Sequence, residues 1–487
     1  MGQGHAMTIG NQTAETTLPL ARRYWVAAAF LFVLLAAGGA SRADVVGQGL
    51  VRLGAWALII GAILFLPRPE GWTRNVIAWI LAASVVLPLI QLVPLPPDIW
   101  TALPARDLLA SVTEALETPP PWRPISLSPG GTFNALASLV VPVAVFVFVD
   151  GFQRREHRAL LTLLLAMVCM SALLAVFQVA GAGLPNPLIN MVPGAVSGSF
   201  ANRNHFALFM ASGCVLVGAW AAAQSGRTSQ WRLPVALLAF PLFLLLSLAS
   251  GSRSGTALTV AGIFVGLWLA RDRMRAVLSR YGTRGRAVAG AAVLSLFAGV
   301  IVASVIFSRA EALQRAVDLQ GGEDLRSKAF ETVLQLARIH FPFGSGFGTF
   351  DPAYRIVEPD HLLQNAYFNH AHNDIMEIAV DGGAPALVIL AVAMAWLARA
   401  SFRIWRSRGS DQEQVFGRAG SAILVLVVSA SVVDYPARTP MIMSLCVIAS
   451  LWLWRAEVSS RKAFKPSQQS ASDLSASPLR AASSTAM

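Results

Sequence analysis

Residues 160–182 have the sequence LLTLLLAMVCMSALLAVFQVAGA, in which no side chain is charged. A helix of about 20 apolar residues spans the hydrocarbon core of a bilayer. The basic run Arg154-Arg155-Glu156-His157-Arg158 comes just before this stretch. Because short loops rich in arginine and lysine stay in the cytoplasm, the stretch predicts a transmembrane helix that begins at the cytoplasmic side.

The composition of the whole chain indicates many such helices. Of its 487 residues, 55% are hydrophobic and 13% are charged, and the mean hydropathy is +0.58. Soluble domains contain about 25% charged residues. The net charge of +12 would suggest nucleic acid in a soluble chain, but here the basic residues lie in short loops and report orientation. The sequence therefore predicts an all-α polytopic membrane protein that binds no nucleic acid.

Apolar blocks along the chain predict about twelve transmembrane helices. Both termini then lie in the cytoplasm, together with every short basic loop. The first block follows Arg22 and Arg23 and could be a signal peptide, but the polar leader and the many later blocks favour a retained helix. The predicted spans are 24–40, 50–66, 76–95, 133–150, 160–182, 204–223, 233–250, 255–270, 287–307, 382–398, 417–434 and 440–454.

The segments outside the spans differ in character. Residues 1–23 form a cytoplasmic leader, and the serine-rich tail 459–487 is expected to be disordered because it lacks apolar periodicity. Residues 24–458 form a single transmembrane domain. It includes two long outer loops, a proline-rich irregular loop at 96–132 and a mostly helical loop at 308–381.

The three cysteines, Cys169, Cys214 and Cys446, all lie within apolar blocks. Cysteine behaves as a small hydrophobic residue in such positions. We therefore expect free buried thiols rather than a disulfide or a metal site.

Five of the seven histidines fall on the predicted outer side, and two of them lie in Phe368-Asn369-His370-Ala371-His372-Asn373-Asp374. Asn373 or Asp374 can cap a helix, and Gly382-Gly383 can end it before the next span. The helix dipole then favours a neutral His372 imidazole that accepts a proton. We regard His372 as the candidate catalytic residue, with His370 and Asn373 as secondary candidates. The alternative is a solvated loop histidine.

A zinc site is the competing chemistry at this segment, because Asp374 and Glu377 lie near His370 and His372. The i, i+2 spacing of the histidines fits no common zinc motif, so we expect no metal and no cofactor. Glu377, Asp374 and Asp381 are expected to be helix caps and surface charges. Asp374 and Glu377 are also second candidates for orienting His372.

Arginines at three positions are candidate anion ligands. Arg253 lies in Ser250-Gly251-Ser252-Arg253-Ser254-Gly255 between two apolar blocks, where an arginine must face a cavity or an anion or else extend to the headgroups. Arg203 lies between Asn202 and Asn204, which bind sugar hydroxyls or phosphate or simply cap a helix. Arg326 precedes a glycine-rich segment, 342–350, that we interpret as a tight turn rather than a nucleotide loop.

These segments follow one another in an order that resembles the O-antigen ligase and polymerase superfamily of bacterial envelope glycan assembly. The resemblance covers residues 198–386. Its elements are Gly-x-Phe-x-Asn-x-Asn from Gly198, the Ser-Arg pair at Arg253, Arg326 in a long outer loop, the Pro-x-x-Gly-x-Gly-x-Gly-x-Phe turn from Pro342, and His372-Asn373 followed by Gly383-Ala384. His370 is a departure, and the His-Asn spacing favours His372.

The resemblance implies a metal-independent, inverting glycosyltransferase of the bacterial inner membrane with a periplasmic active site. Its donor would be a glycan on a polyprenyl diphosphate such as undecaprenyl diphosphate, and its acceptor another glycan. Arg253, Arg326 and Arg203 would bind the diphosphate, and His372 would orient or deprotonate the acceptor hydroxyl.

The resemblance leaves the role within the superfamily open. The proline-rich first outer loop slightly favours a polymerase of a surface or secreted polysaccharide. A ligase that passes a finished glycan to lipid A-core or protein is the alternative, and a transporter of polysaccharide or lipid-linked sugars is a third reading that predicts paired repeats and broken helices. Chain-length regulators and export proteins are expected partners of a polymerase.

Overall fold

The computed structural model describes residues 20–66, 75–223, 231–285, 322–363, 368–409 and 411–475, with scattered positions between 287 and 302. Side chains are not described at 20–21, 322–327 and 462–475. Within these ranges the protein is helical, and the nearest approach to β-structure is one isolated bridge between Leu95 and Arg123. The prediction of an all-α membrane protein is confirmed.

Nine helical segments of the described residues are long and apolar enough to cross a membrane. They are α2 (Val46–Phe65), α6 and α7 together (Pro129–Ser138 and Val140–Val149), α8 (Arg154–Val179), α9 (Arg203–Ala222), α10 (Arg232–Ala249), α11 (Arg253–Leu278), α14 (Asp374–Arg406), α15 (Gln412–Ser431) and the first part of α16 (Pro440–Ser475).

The count of nine differs from the predicted twelve at three places. The first predicted span corresponds to the helix α1 (Leu20–Ala37), which has 18 residues and includes Arg22 and Arg23. The third is α3 (Val76–Gln91), which has only 16 residues. The predicted span 287–307 lies largely outside the described residues.

Shorter helices lie in the two long loops. The first loop contains α4 (Pro97–Trp100) and α5 (Asp107–Ala115), and Trp100 is completely buried. The second contains α12 (Gly322–His340), α13 (Phe350–Val357) and a 3₁₀ turn, Asp360–Leu362. A second 3₁₀ turn, Pro436–Arg438, connects α15 to α16.

Helices α9 and α11 pack closely and in parallel. A Cβ atom added at Gly255, Gly262 or Gly266 of α11 would lie 2.3, 2.4 or 2.5 Å from atoms of Ala207, Ala211 or Cys214 of α9, respectively. Both sets of residue numbers rise together, so the two N-termini lie at the same end of the bundle. This end is referred to below as the site end.

The opposite end carries many of the arginines. Arg23 pairs with buried Glu156 at 3.3 Å, Arg154 pairs with Glu413 at 2.7 Å, and Arg403 pairs with Glu457 at 2.9 Å. These pairs join the start of α8 to α1 and α15, and the end of α14 to α16. The basic loops predicted from the sequence therefore gather at the end away from the site.

The prediction of free buried thiols has a mixed outcome, and the prediction about the C-terminal tail is untested. All three cysteines are free, but only Cys214 is buried, whereas Cys169 is exposed. The backbone of α16 is helical to Ser475, and the disorder expected for the tail 459–487 stays a prediction. Residues 476–487 lie outside the described residues, and the domain boundaries stay a prediction.

Helix α14 does not end at the glycine pair but continues through it with a break. Gly383 has φ 57° and ψ −150° within the helix, a combination that only glycine adopts readily. At this break the Ala384 amide donates to the Pro342 carbonyl oxygen at 2.8 Å. The glycine-rich turn after Pro342 also binds Asp381, because the amides of Gly346 and Gly348 donate to its backbone and carboxylate oxygens at 2.9 and 3.0 Å.

We predict that Gly383→Ala destabilises the protein. The added Cβ would lie 2.1 Å from the Pro342 carbonyl oxygen, and the backbone conformation itself costs about 1–3 kcal/mol for a residue with a side chain. The control is Gly61→Ala in α2, where a Cβ meets nothing within 4 Å. Thermal unfolding in detergent should give a lower Tm for Gly383→Ala only, and equal Tm values would contradict the prediction.

Candidate active site

Three segments meet at the site end of the bundle. They are the start of α9, the segment 368–373 that leads into α14, and the connection 432–439 between α15 and α16. Asn202 caps α9 by accepting from the Asn204 amide at 2.8 Å, and Asn373 caps α14 by accepting from the Met376 amide at 3.1 Å. The predicted caps thus form, and they fix the residues next to them.

Asp434 is the point at which these segments join. One carboxylate oxygen accepts from the side-chain amides of Asn202 and Asn204 at 3.1 and 2.7 Å. The other accepts from the backbone amide of Tyr435 at 3.0 Å and lies 3.3 Å from Nδ1 of His372. Four groups from three segments therefore satisfy one buried carboxylate.

The surroundings of Asp434 keep it ionised. Burial opposes its charge, but the hydrogen bond with His372 and the electrostatic effects of His205 and His372 hold the pKa of Asp434 well below its usual range. A carboxylate on Nδ1 directs the imidazole proton to that nitrogen and leaves Nε2 as the basic one. The arrangement can therefore present a proton acceptor.

His372 is held in an unusual backbone conformation. Its φ is +48°, in the left-handed region that few residues other than glycine and asparagine occupy. This conformation separates its side chain from that of His370, which has a different carboxylate partner. Non-glycine residues in this region cluster at functional sites.

A second charged network surrounds Arg438. Its guanidinium lies 3.3 Å from Asp374 and 3.1 Å from Glu377. Glu377 also lies 2.8 Å from Nδ1 of His370, and Asp374 accepts from the Ser431 hydroxyl at 2.8 Å. One arginine thus joins two carboxylates of α14 to the connection that carries Asp434.

The charges around Arg438 determine its ionisation. Burial alone would lower the pKa of Arg438, but the neighbouring Glu377, Asp374 and Asp381 raise it above its ordinary value. Asp374, Glu377 and Asp381 are 5%, 1% and 0% exposed. The expectation that they are surface charges is wrong, because Arg438, His370 and the glycine turn supply partners inside the protein.

Tyr435 lies between the two networks. Its ring centroid is 4.3 Å from that of His370 and 5.0 Å from that of His372. It also contacts buried His205 edge-on at 5.3 Å. Three of the histidines predicted to lie on the outer side therefore surround one aromatic ring.

The structure brings some of the predicted site residues together. His372, His370, Asn202, Asn204, Asn373 and Glu377 all belong to the site end described above. The predicted alternative that Asn373 or Asn202 is a helix cap is also correct. Glu377 binds His370, however, and Asp434 takes the position beside His372 that was expected for Asp374 or Glu377.

Among the residues that the structure describes, the predicted diphosphate ligands Arg203, Arg253 and Arg326 are not seen to form a cluster. Arg203 is exposed in the first turn of α9, directly after Asn202, and Arg253 is exposed at the start of α11, at the same end of the bundle. Arg326 lies in α12, and its side chain is not among those described. Their role in diphosphate binding stays a prediction.

Sequence reasoning missed Asp434, Tyr435 and Arg438. Their segment, Asp434-Tyr435-Pro436-Ala437-Arg438, lies between the last two spans, and its charged residues border apolar blocks. A costly ionisable residue at such a position is a candidate for function. The charged residues of this segment were visible in the sequence, but the predicted span 417–434 included Asp434 as its last residue, so the segment was not considered as a site.

No curated protein sequence matches the chain. Residues 236–391 match the model of the family described as O-Antigen ligase. The chain is therefore a multi-pass membrane protein in which this region is similar to the O-antigen ligase family. The matched region, about a third of the chain, contains His370, His372 and Glu377 but not Asp434 or Arg438.

We predict that Arg438→Gln lowers stability strongly. The substitution leaves Asp374 and Glu377 buried without their cation, and breaking a buried ion pair costs about 3–5 kcal/mol. The matched control is Arg154→Gln at the opposite end, where the arginine side chain is 68% exposed and a loss within about 1 kcal/mol is expected. The measurement is the free energy of unfolding in mixed detergent. Similar losses in both variants would contradict the buried network.

Proposed function

We propose that this protein is an inverting, metal-independent glycosyltransferase that polymerises repeat units of a surface or secreted polysaccharide. The donor is a glycan on a polyprenyl diphosphate, and the acceptor is a second glycan. The observation that carries the proposal is the His372–Asp434 pair, whose histidine lies in the region that matches the O-antigen ligase family. A general base held by a carboxylate is the group that activation of a sugar hydroxyl requires.

In the proposed reaction, Nε2 of His372 takes the proton of the acceptor hydroxyl. The acceptor oxygen then forms a bond to the anomeric carbon as the bond from that carbon to the diphosphate oxygen breaks. The polyprenyl diphosphate leaves with the electron pair. Asp434 acts as a positioning residue, since it orients the imidazole and stabilises the imidazolium that forms.

The leaving diphosphate needs positive charge nearby. Arg203 and Arg253 at the site end support this role by their location, and Arg326 remains the third predicted ligand. Arg438 is already bound to two carboxylates, so its charge is largely compensated. The proposal therefore places leaving-group stabilisation on arginines other than Arg438.

The proposed orientation puts the site end in the periplasm. The opposite end contains Arg154, Arg403 and Arg461 together with their carboxylate partners, and basic loops face the cytoplasm. Both termini are then cytoplasmic, and the membrane is the bacterial inner membrane. Chain-length regulators or export proteins are the partners that a polymerase in this place would need.

A ligase is the second candidate, and the description of the matched family favours it. The two activities leave different products when the gene is deleted. A polymerase mutant should accumulate single repeat units on the polyprenyl carrier, whereas a ligase mutant should retain long chains there. Analysis of carrier-linked glycans by chain length separates the two, and unchanged surface and carrier glycans would contradict both.

We predict that His372→Asn abolishes most glycan transfer without unfolding the protein. Asparagine tolerates the positive φ of this position, so the turn is kept, while loss of a general base lowers the rate by about 10²–10⁴-fold. The control is His361→Asn, at an exposed position of the 3₁₀ turn. The rate is measured with purified protein and a lipid-linked oligosaccharide.

The same assay tests the pairing with Asp434. If Asp434 acts through His372, Asp434→Asn slows transfer in the wild-type background but adds little in a His372→Asn background. The pH profile of the activity that remains in the single variant Asp434→Asn should also be shifted relative to that of the wild type. Transfer near the wild-type rate by correctly inserted His372→Asn would end the assignment.

A further inference from the structure

A cavity of about 970 Å³ opens at the site end between α2, α3, α6, α14, α15 and α16. His370, Asp374 and Arg438 line one side of it, so it adjoins the second charged network. The His370 ring contacts Tyr435, and Tyr435 contacts the proposed base His372.

The cavity has an apolar part and a polar part. Its apolar wall consists of Ile389, Leu390, Ala393 and Met394 of α14 together with Leu424 and Val428 of α15. The α14 residues that line the whole cavity run from Asp374 to Met394, which at 1.5 Å per residue is about 30 Å. This length is about the hydrocarbon thickness of a whole bilayer. The shape suits a long hydrocarbon chain with a polar headgroup.

Arg52 stands out in the polar part. It lies within α2, six residues after the first residue of that helix, and is half-buried. Its Nη2 donates to the side-chain and backbone oxygens of Asn134 at 2.8 and 3.4 Å, and its Nε is buried without a partner. Asn134 is neutral, so these contacts leave the charge of Arg52 uncompensated.

The other arginines that line the cavity have carboxylate partners. Arg42 donates from Nε to Asp44 at 2.9 Å, and Arg438 pairs with Asp374 and Glu377. Among the lining residues that the structure describes, Arg52 is therefore the arginine that contacts no carboxylate. An uncompensated cation inside an apolar helix is costly, and its presence indicates an anionic ligand.

We propose that Arg52 and Asn134 bind the diphosphate of a polyprenyl diphosphate whose isoprenoid chain lies against α14 and α15. The planar guanidinium fork binds two phosphate oxygens at once, and the apolar wall accepts a single long chain. This inference rests on the proposed function for the identity of the ligand. It assigns a ligand contact to α2, far in sequence from the matched domain.

The proposed site at Arg52 lies apart from the arginines that the sequence predicts as diphosphate ligands. Arg203 and Arg253 do not line this cavity, and they begin α9 and α11 on the side of Asp434 that binds Asn202 and Asn204. A polymerase that joins two carrier-linked glycans needs two diphosphate sites. The cavity at Arg52 supplies one diphosphate site, and the predicted ligands Arg203 and Arg253 belong to a separate one.

The test measures binding rather than transfer. Purified protein in phosphatidylcholine nanodiscs is titrated with undecaprenyl diphosphate, undecaprenyl monophosphate and neutral undecaprenol, and Kd is measured for each. Arg52→Gln should weaken diphosphate binding by about 10- to 100-fold, because a charge-assisted bidentate contact is lost. Arg52→Lys should retain part of the affinity, and binding of undecaprenol should not change.

Two controls make the result specific. Arg154→Gln makes the same chemical change at the opposite end and should bind as the wild type does. Ala393→Phe narrows the apolar wall and should weaken all three lipids, including undecaprenol. If Arg52→Gln fails to insert, Arg52→Lys and Ala393→Phe still decide the question, since wild-type Kd values for both would overturn the proposal.

Other outcomes separate this inference from the proposed function. Unchanged diphosphate affinity in Arg52→Gln would overturn the site while leaving the enzyme assignment intact. Equal competition by phosphatidylglycerol would also overturn it, because the occupant would then be an ordinary anionic phospholipid. His372→Asn should bind undecaprenyl diphosphate normally, and if that variant still transferred glycan, the proposed mechanism would fail even with a confirmed lipid site.

Discussion

The buried carboxylate of Asp434 is the interaction on which the rest of the site depends. It accepts from two asparagines at the start of α9, from the amide of Tyr435 and from His372. An isolated buried carboxylate is strongly unfavourable, and it becomes tolerable only when its oxygens are fully hydrogen-bonded. The three segments must therefore come together for any of them to be stable, and the same packing holds His372 in place.

Arg438, four residues after Asp434, also joins separate segments through a network of charged groups. Arg438 and Asp434 lie in one short connection, yet they carry opposite charges and bind opposite partners. Asp434 binds the imidazole of His372, whereas Arg438 binds Glu377, which in turn binds His370. Because both networks share this connection, a shift of one would move the other. The site is thus held as a unit between α9, α14 and α15.

The sequence predicted the class of fold and the segments that carry the histidines, because those features are local. Runs of apolar residues predict spans, and Asn202 and Asn373 are placed as caps by the residues that follow them. The partner of His372 could not be predicted in this way, since it lies 62 residues further on, and its other ligands lie 232 and 230 residues from it. Such pairings depend on how the helices pack.

The burial of Glu377 and Asp381 was missed for a related reason. Both were expected to be helix caps or surface charges. The turn after Pro342 and the break at Gly383 instead fold over this part of α14, and Gln91 of α3 donates to the Asp381 carbonyl oxygen at 2.9 Å. A long outer loop that folds back onto the bundle buries carboxylates such as Glu377 and Asp381. A hydropathy pattern cannot predict this burial, because it does not show how loops fold.

The two histidines two residues apart now have distinct positions. The left-handed backbone at His372 turns its ring toward Asp434 and α9, whereas His370 faces Glu377 and lines the large cavity. In a regular strand, residues at i and i+2 would point to the same side, so this divergence requires the unusual φ. In the reaction proposed above, a carrier-linked donor and an acceptor approach one carbon atom from two directions. A segment that presents one imidazole to each side, with the Tyr435 ring between them, has the geometry for that task.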